Sequence, residues 1–454
     1  MKLPMKFVVL FVLCLLGIPT LALAQCGCAE GTCSSSCLCG CQDPEKSPPP
    51  QGGGYSGKSG NVTFLAQVPL GKMMGEASDV RGNDCWGWTD RKTGREFAIV
   101  GMTHGASFVE ITTPTKPRFL GFLPSAGTNS TWRDIKVYNE RAYIVGDGSG
   151  NNSHGVQVFE LRRLLKAPLG PATFTADARY TGLGRAHNIA INEATGFAYV
   201  VGSPSQSSSG GLIVLDLKNG VMPTLHSVFS ADGYTHDTQV VNYIGPDTAH
   251  FGKEIAFCSN EDTLTIVNVT KNGNPPSQIS RTGYVASRYS HQGWLSEDHK
   301  FFYMNDELDE MQLGPFPTRT HIWNVQDLDA PVYAGFYSGT ESTIDHNLYV
   351  KGDYIYQAHY TSGLRILKRN PISGMPIFEA GYYDTYGPDN AIQFNGAWSC
   401  YPYFPSGNII VSDIQGGLFV VKFQPTSSKM ETVLKQVITV GEAIDVFNFF
   451  VFAL

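Results

Sequence analysis

An internal repeat constrains this chain more than any other feature. Between Asn61 and Phe423 a strand, a small polar loop and a second strand recur every ~40–55 residues, a period that belongs to propellers, solenoids and arrays. AYIVGDGSGNNSHGVQVFEL, AYVVGSPSQSSSGGLIVLDL, IAFCSNEDTLTIVNV, YIYQAHYTSGLRILK and NIIVSDIQGGLFVVKF share this form. FAIVGMTHGASFVEI and FFYMNDELDEMQLGPFPTRTHIWNV fit with a shorter and a longer loop, making seven copies. One strand with its own turn (INEATG, LSEDHK, YVKGD, YPYFPSG) precedes each copy, and a Pro-containing turn and a fourth strand follow most of them, as in TPTKPRFLGFL, KNGVMPTLHSVF and DLDAPVYAGFY.

Four strands per unit and seven units describe an all-β chain folded as a seven-bladed β-propeller. An open solenoid would need polar capping repeats at both ends, whereas these ends are complementary. The last copy stops after its third strand at Phe423, and an orphan strand, FLAQVPL at Phe64–Leu70, resembles the fourth-strand segments. The N-terminal strand is therefore expected to complete the last blade and close the ring. Composition agrees: of 454 residues, 16% are charged and 12% aromatic, with 49 Gly and 26 Pro, a balance that favours short strands and turns. A net charge of −7 and the lack of any basic run argue against nucleic acid or an anionic membrane surface as partner.

The flanks carry targeting rather than fold. Residues 1–24 pair two lysines with an apolar run and an Ala22-Leu23-Ala24 cleavage site, the pattern of a secretory signal peptide. Secretion would put the mature chain in an oxidising compartment, and glycosylation sequons at Asn61, Asn129, Asn151 and Asn268 fit that route. Residues 25–42 hold Cys26, Cys28, Cys33, Cys37, Cys39 and Cys41; their spacing lacks the paired CxxC of a zinc ribbon and reads as a small disulfide knot or a means of intermolecular cross-linking. A Pro/Gly/Ser linker fills 43–60, and a tail occupies 424–454, whose final apolar run is too short to span a bilayer and matches an anchor signal poorly.

Chemistry gathers where the first strands begin. Matching pairs occur at Arg133-Asp134, His187-Asn188, His236-Asp237, His291-Gln292 and His346-Asn347, with Asn83-Asp84 before Cys85-Trp86 in the first copy and Asn395-Gly396 in the last. First strands line a propeller's channel, and their starts share a face with the loops that carry Asp147, Glu261-Asp262 and the run Asp306, Glu307, Asp309, Glu310. In the hairpin Ser290–Glu310, antiparallel pairing would bring His291 and Gln292 near that acidic run. Four imidazoles, a guanidinium and several carboxylates are thus expected at one channel mouth.

Three readings stay open for this constellation: blade-to-blade hydrogen bonding of buried backbone, a bound ion (calcium at the carboxylates or a transition metal at the imidazoles), and a His-carboxylate catalytic centre. No HExxH, EF-hand, GxSxG or phosphate loop is present in the sequence. Cys85, Cys258 and Cys400 fall on strands as buried thiols, a Cys85–Cys400 bridge being the alternative for the first and last of them. Trp86, Trp88, Trp294 and Trp398 are expected between blades.

The chain resembles the choice-of-anchor B proteins with LVIVD-type repeats. The likeness is carried by NDCWGWTDRKTGREFAIVG, WRDIKVYNERAYIV, AHNIAINEATGFAYVVG, DGYTHDTQVVNYIGPD, SNEDTLTIVNVT, SHQGWLSEDHKFFYMNDELDE, TRTHIWNVQDLDAPVYAG, IDHNLYVKGDYIYQAHYTSGLRIL and FNGAWSCYPYFPSGNIIVS. The resemblance implies a secreted or surface-tethered propeller and brings no catalytic residues with it; the six-Cys segment and the weak tail depart from the family pattern. The expected role is an extracellular binding module for a protein or glycan, with a metal-dependent hydrolase or lyase and a disulfide-linked matrix component as alternatives.

Overall fold

The structure is a computed structural model and describes residues 57–74, 79–148, 154–168, 170–271 and 273–425. The stretch read as a signal peptide, the cysteine-rich segment, the expected linker up to residue 56, the Asn151 sequon and the tail from residue 426 lie outside the described residues.

Seven sheets follow one another along the chain, each a four-stranded antiparallel blade with its first strand innermost; Ala172–Thr173 adds a short parallel strand at the outer edge of blade 1. Blade 1 runs Gly82–Thr89, Glu96–Met102, Gly105–Glu110 and Arg118–Pro124, and blades 2 to 6 repeat the order. The second strands Glu96–Met102, Phe301–Asp306 and Asn408–Asp413 are buried along their whole length. They lie mid-blade with a neighbouring blade on each face, so they read as continuous apolar runs rather than alternating ones. The outermost strand of blade 5, Val332–Ser338, alternates between exposed and half-buried instead. In five blades the third and fourth strands slip register at corresponding places, Phe108/Val109, Val214/Leu215, Ile266/Val267, Ile322/Trp323 and Ile366/Leu367. A bulge there adds local twist to the outer edge of the blade.

The ring closes as expected, by hydrogen bonds between distant parts of the chain. Val62–Val68 lies antiparallel to Gly417–Phe423, from Val62 opposite Phe423 to Val68 opposite Leu418, as the fourth strand of blade 7. The closing strand is shifted from the expected Phe64–Leu70. Pro69 cannot donate to a ladder, and Leu70–Met74 turns into a short helix that buries Leu70 and Met73. Ser59–Gly60, within the stretch read as linker, pairs with Tyr382 and Tyr383 at the edge of blade 6.

Aromatic pairs hold blade to blade. Phe108 of blade 1 stacks on Phe159 of blade 2 at 4.5 Å, Phe257 of blade 4 on Phe302 of blade 5 at 5.6 Å, and Trp86 of blade 1 meets Tyr401 of blade 7 edge-on at 5.0 Å. Trp86, Trp88 and Trp398 are buried and Trp294 half-buried. Cys85, Cys258 and Cys400 are free buried thiols, so no Cys85–Cys400 bridge joins the first and last blades. Among the described residues no helix is long and apolar enough to cross a membrane.

Candidate functional site at the channel mouth

The seven inner strands, Gly82–Thr89, Arg133–Tyr138, Asn188–Asn192, Asp237–Asn242, Ser290–Leu295, Leu348–Lys351 and Ala397–Tyr401, pack side by side around the axis. They belong to different sheets, so the backbone groups at their starts need side-chain partners. The recurring polar pairs supply them. Asp84 accepts from the Ile135 N–H at 3.3 Å and Asp134 from Ile189 at 2.7 Å. Asn188 donates to the His236 carbonyl at 3.0 Å, and Asn347 to that of Trp398 at 3.2 Å. Gln292 donates to the Leu348 carbonyl at 3.0 Å and accepts from its N–H at 2.8 Å.

Above this ladder the four imidazoles form one tilted stack, with successive ring planes 52°, 40° and 40° apart. Ring centroids are 4.3 Å apart for His187 and His236, 4.1 Å for His236 and His291, and 4.3 Å for His291 and His346. His236 Nδ1 bonds the His291 carbonyl at 2.9 Å, and His346 Nδ1 bonds the Trp398 carbonyl. A carbonyl only accepts, so in both rings Nδ1 carries the hydrogen and Nε2 keeps its lone pair. Burial, then the neighbouring imidazoles, push His236 and His291 well below the ordinary imidazole pKa, and burial takes His346 down to about 3. These three rings are neutral at pH 7. At His187, burial lowers the pKa, but the bond to Asp147 at 2.9 Å and its charge outweigh that and hold the ring above the ordinary value. Gly202 makes room for His187: its φ is +65°, and a Cβ there would lie 2.4 Å from the His187 Cβ.

Glu307 faces this stack. Its Oε1 lies 3.4 Å from His346 Nε2 and its Oε2 lies 3.7 Å from His291 Nε2, and Tyr360 donates to Oε1 at 2.7 Å. Burial raises the Glu307 carboxyl to about 7, against the Tyr360 bond, which lowers it. On the channel wall, Lys136 pairs with Asp134 and lies 3.7 Å from Asp84, while burial, then the charge of Asp134, raises Asp237 to about 7. The cavity lined by the imidazoles, Asp84, Asp134, Lys136, Asp237, Tyr349 and Trp398 has room for about one water-sized ligand.

The other expected residues part company. Arg133 borders that cavity too, but its guanidinium is turned into the joint between blades 1 and 2, where it donates to Met102 O at 2.7 Å, Ser125 Oγ at 2.7 Å and His154 Nε2 at 2.8 Å. Glu261 and Asp262 are exposed, Asp262 pairing with Arg281 at 2.9 Å. The acidic run is not one cluster. Asp306 is satisfied by the Tyr284 hydroxyl at 2.6 Å and the Arg288 and Tyr289 N–H groups at 2.7 Å, and Asp309 and Glu310 gather with Asp345. Within the run, Glu307 is the residue paired with the imidazoles. Lys136, Tyr360 and Asp345 are additions that the sequence pattern did not single out; Asp345 directly precedes His346-Asn347, the one available signal. Of the sequons, Asn129 is exposed, the exposed Asn61 donates to Ala380 O at 2.8 Å, and the half-buried Asn268 accepts from Thr270 N at 3.1 Å.

The chain is a seven-bladed propeller. No protein-family model matches it, and no curated protein matches it in sequence. Solved structures similar to it include a Lactobacillus plantarum protein at 14% identity, covering 73% of this chain and 89% of that one, with a TM-score of 0.48. Kuenenia stuttgartiensis hydrazine synthase is 12% identical over 73% of this chain and 93% of its own, with a TM-score of 0.49. The periplasmic gluconolactonase of Pseudomonas aeruginosa is 12% identical over 67% and 86%, with a TM-score of 0.46.

Proposed function

We propose that this is a secreted propeller of the choice-of-anchor B type, which binds an extracellular protein or glycan and holds a transition-metal ion at its channel mouth on His291, His346 and Glu307. The leader-like residues 1–24 and the quoted repeat motifs support secretion and the family. The observation that carries the metal is the His346 ring. Its Nδ1 hydrogen is given to Trp398 O, which aims the Nε2 lone pair at Glu307 Oε1, 3.4 Å away. Metal-bound histidines are held this way, with the second nitrogen donated to a carbonyl or carboxylate. Ligand atoms ~2.05 Å from a tetrahedral ion sit about 3.3 Å apart, close to the 3.4 Å between His346 Nε2 and Glu307 Oε1, and one donor atom from each of the three residues lies within 4.8 Å of the others. Two imidazoles and a carboxylate suit zinc, iron or manganese and leave a coordination position for a water-sized ligand.

The test is metal content of the purified full-length secreted protein by plasma mass spectrometry, before and after chelation, with a thermal melt on each sample. Near-stoichiometric transition metal that leaves with the chelator, and is lost in His346→Ala and Glu307→Gln, is the expected result. Transition-metal content unchanged in those variants, or none in the wild type, overturns the site.

A second reading is a metal-dependent hydrolase or lyase. The feature favouring it is the Glu307 carboxyl, raised by burial to about 7 and bonded to Tyr360, which can hold or release a proton near neutral pH. Hydrolysis or elimination activity lost in His291→Ala at an unchanged melting temperature would favour the enzyme over the binding module.

A further inference from the structure

We infer that Asp309, Glu310 and Asp345 form a second site, for one hard divalent cation of the calcium class, packed behind the channel mouth. It shares no ligand with the His-Glu site and does not depend on it.

The three carboxylates come from two places. Asp309 and Glu310 open the short helix Asp309–Gln312 that follows the second strand of blade 5, and Asp345 lies in the loop before blade 6. They are 2%, 1% and 0% exposed, and one oxygen from each lies within 4.8 Å of the others. Asp309 Oδ1, Glu310 Oε2 and both oxygens of Asp345 have no hydrogen-bond partner. A buried carboxylate in that condition is among the least favourable arrangements a fold can adopt.

Independent support comes from blade 5. His321, 4% exposed on the strand Arg319–Asn324, is held through Nδ1 by the Tyr333 hydroxyl at 2.9 Å. Its Nε2 has no hydrogen-bond partner and faces Asp309 Oδ2 at 3.6 Å, too far for a hydrogen bond. A buried polar side chain is thus aimed at the cluster and left unsatisfied there. The nearest cation is Arg319, whose NH1 lies 3.9 Å from Asp309 Oδ2 and whose guanidinium stacks on Phe316 and Phe336. Glu310 Oε1 accepts from the Arg319 N–H at 3.2 Å. Without a cation, burial and then the neighbouring carboxylates push Glu310 up to about 10 and Asp345 well above the ordinary carboxyl range. With all three ionised, one guanidinium against them leaves two negative charges, the charge of one divalent ion. Three carboxylates, one of them free to bind through both oxygens, suit calcium, which tolerates irregular and bidentate coordination.

The site has a consequence for the mouth. Asp309 and Glu310 follow Glu307 by two and three residues, and Asp345 precedes His346. A cation there ties together the two segments that present Glu307 and His346.

The experiment uses full-length secreted protein stripped with a calcium chelator. Calcium is titrated by calorimetry, terbium luminescence is excited through the nearby tyrosines and Trp323, and melts are run with and without calcium. One equivalent of calcium, a melting temperature that rises with calcium, and terbium emission displaced by calcium are expected. Asp345→Asn and Glu310→Gln should weaken calcium binding by more than the roughly 10–100-fold that loss of a supporting residue costs. Without a cation, burial and the neighbouring carboxylates already hold these two carboxyls towards the neutral form, and the amides match them in size, so the metal-free variants should melt close to the metal-free wild type. His346→Ala should keep its calcium, which separates failure of this site from failure of the His-Glu site. A wild type whose melt ignores calcium, or variants that bind calcium as the wild type does, overturns the inference.

Discussion

Arg133 donates to Nε2 of His154 at 2.8 Å, and Nδ1 of His154 bonds the Gly155 carbonyl at 3.0 Å. The one guanidinium expected at the channel mouth is thus spent on holding blade 2 to blade 1, and it holds His154 in a single neutral tautomer. Burial, then the Arg133 charge, drives the His154 pKa to about 3.

That gives a pH dependence with a definite sign. In the unfolded chain His154 takes a proton as pH falls through ~6.5, whereas in the fold it stays neutral down to about 3. Its contribution is complete above pH ~6.5 and lost progressively on acidification below it. His154→Gln cannot titrate, so wild type minus variant isolates the term. Between pH 7.5 and 5 the difference in unfolding free energy should shift by about 2 kcal/mol against the wild type. Denaturant melts at the two pH values measure it, and a pH-independent difference would contradict the assignment.

Tyr360 positions Glu307 through its 2.7 Å hydroxyl bond. Tyr360→Phe keeps the ring contacts with His346 and Trp398 and removes that bond alone. Transition-metal affinity at the mouth should fall roughly tenfold, with a change in melting temperature of only a few degrees. Competition with a metal indicator reads the first and a thermal melt the second. A purely structural tyrosine would move the melt and leave affinity alone.

Phe108 is fully buried and stacks on Phe159 across the joint of blades 1 and 2. Phe108→Ala leaves a cavity that seven-fold closure prevents from collapsing, so the cost should fall at about 3–5 kcal/mol. Urea unfolding with an unchanged slope would identify the loss as stability alone.

Removing residues 1–68 deletes the closing strand and bares the edge Gly417–Phe423. An exposed apolar edge templates pairing with other chains, so the truncated protein should form oligomers or aggregates where the full chain stays dispersed. Light scattering on the two proteins under one buffer decides this. A monodisperse truncated protein would mean that the Val62–Val68 pairing is not what closes the ring.

The fold was legible because a propeller writes itself locally. Each blade is an antiparallel meander whose strands, turns and polar loop are adjacent in sequence, so four-strand units and their number can be read from the repeat. The mismatch of the two ends announced closure, and Pro69 hid only its register. The inner-strand pairs were legible too, since each blade repeats them.

What the pairs do could not be read from repetition, because it depends on which way each side chain leaves the strand and what the next blade presents. His187, His236, His291 and His346 look alike in sequence, yet one is held by a carboxylate, two by carbonyls, and His291 Nδ1 is without a hydrogen-bond partner. The run Asp306–Glu310 is contiguous in sequence and divided in space: Asp306 to backbone amides, Glu307 to the imidazoles, Asp309 and Glu310 to Asp345. Local periodicity by itself determined the blades, their count and the end-to-end closure, since those follow from neighbours along the chain. Only the tertiary structure decided which oxygens and nitrogens meet, because inner strands tens of residues apart converge on one axis, and burial there sets which groups carry charge.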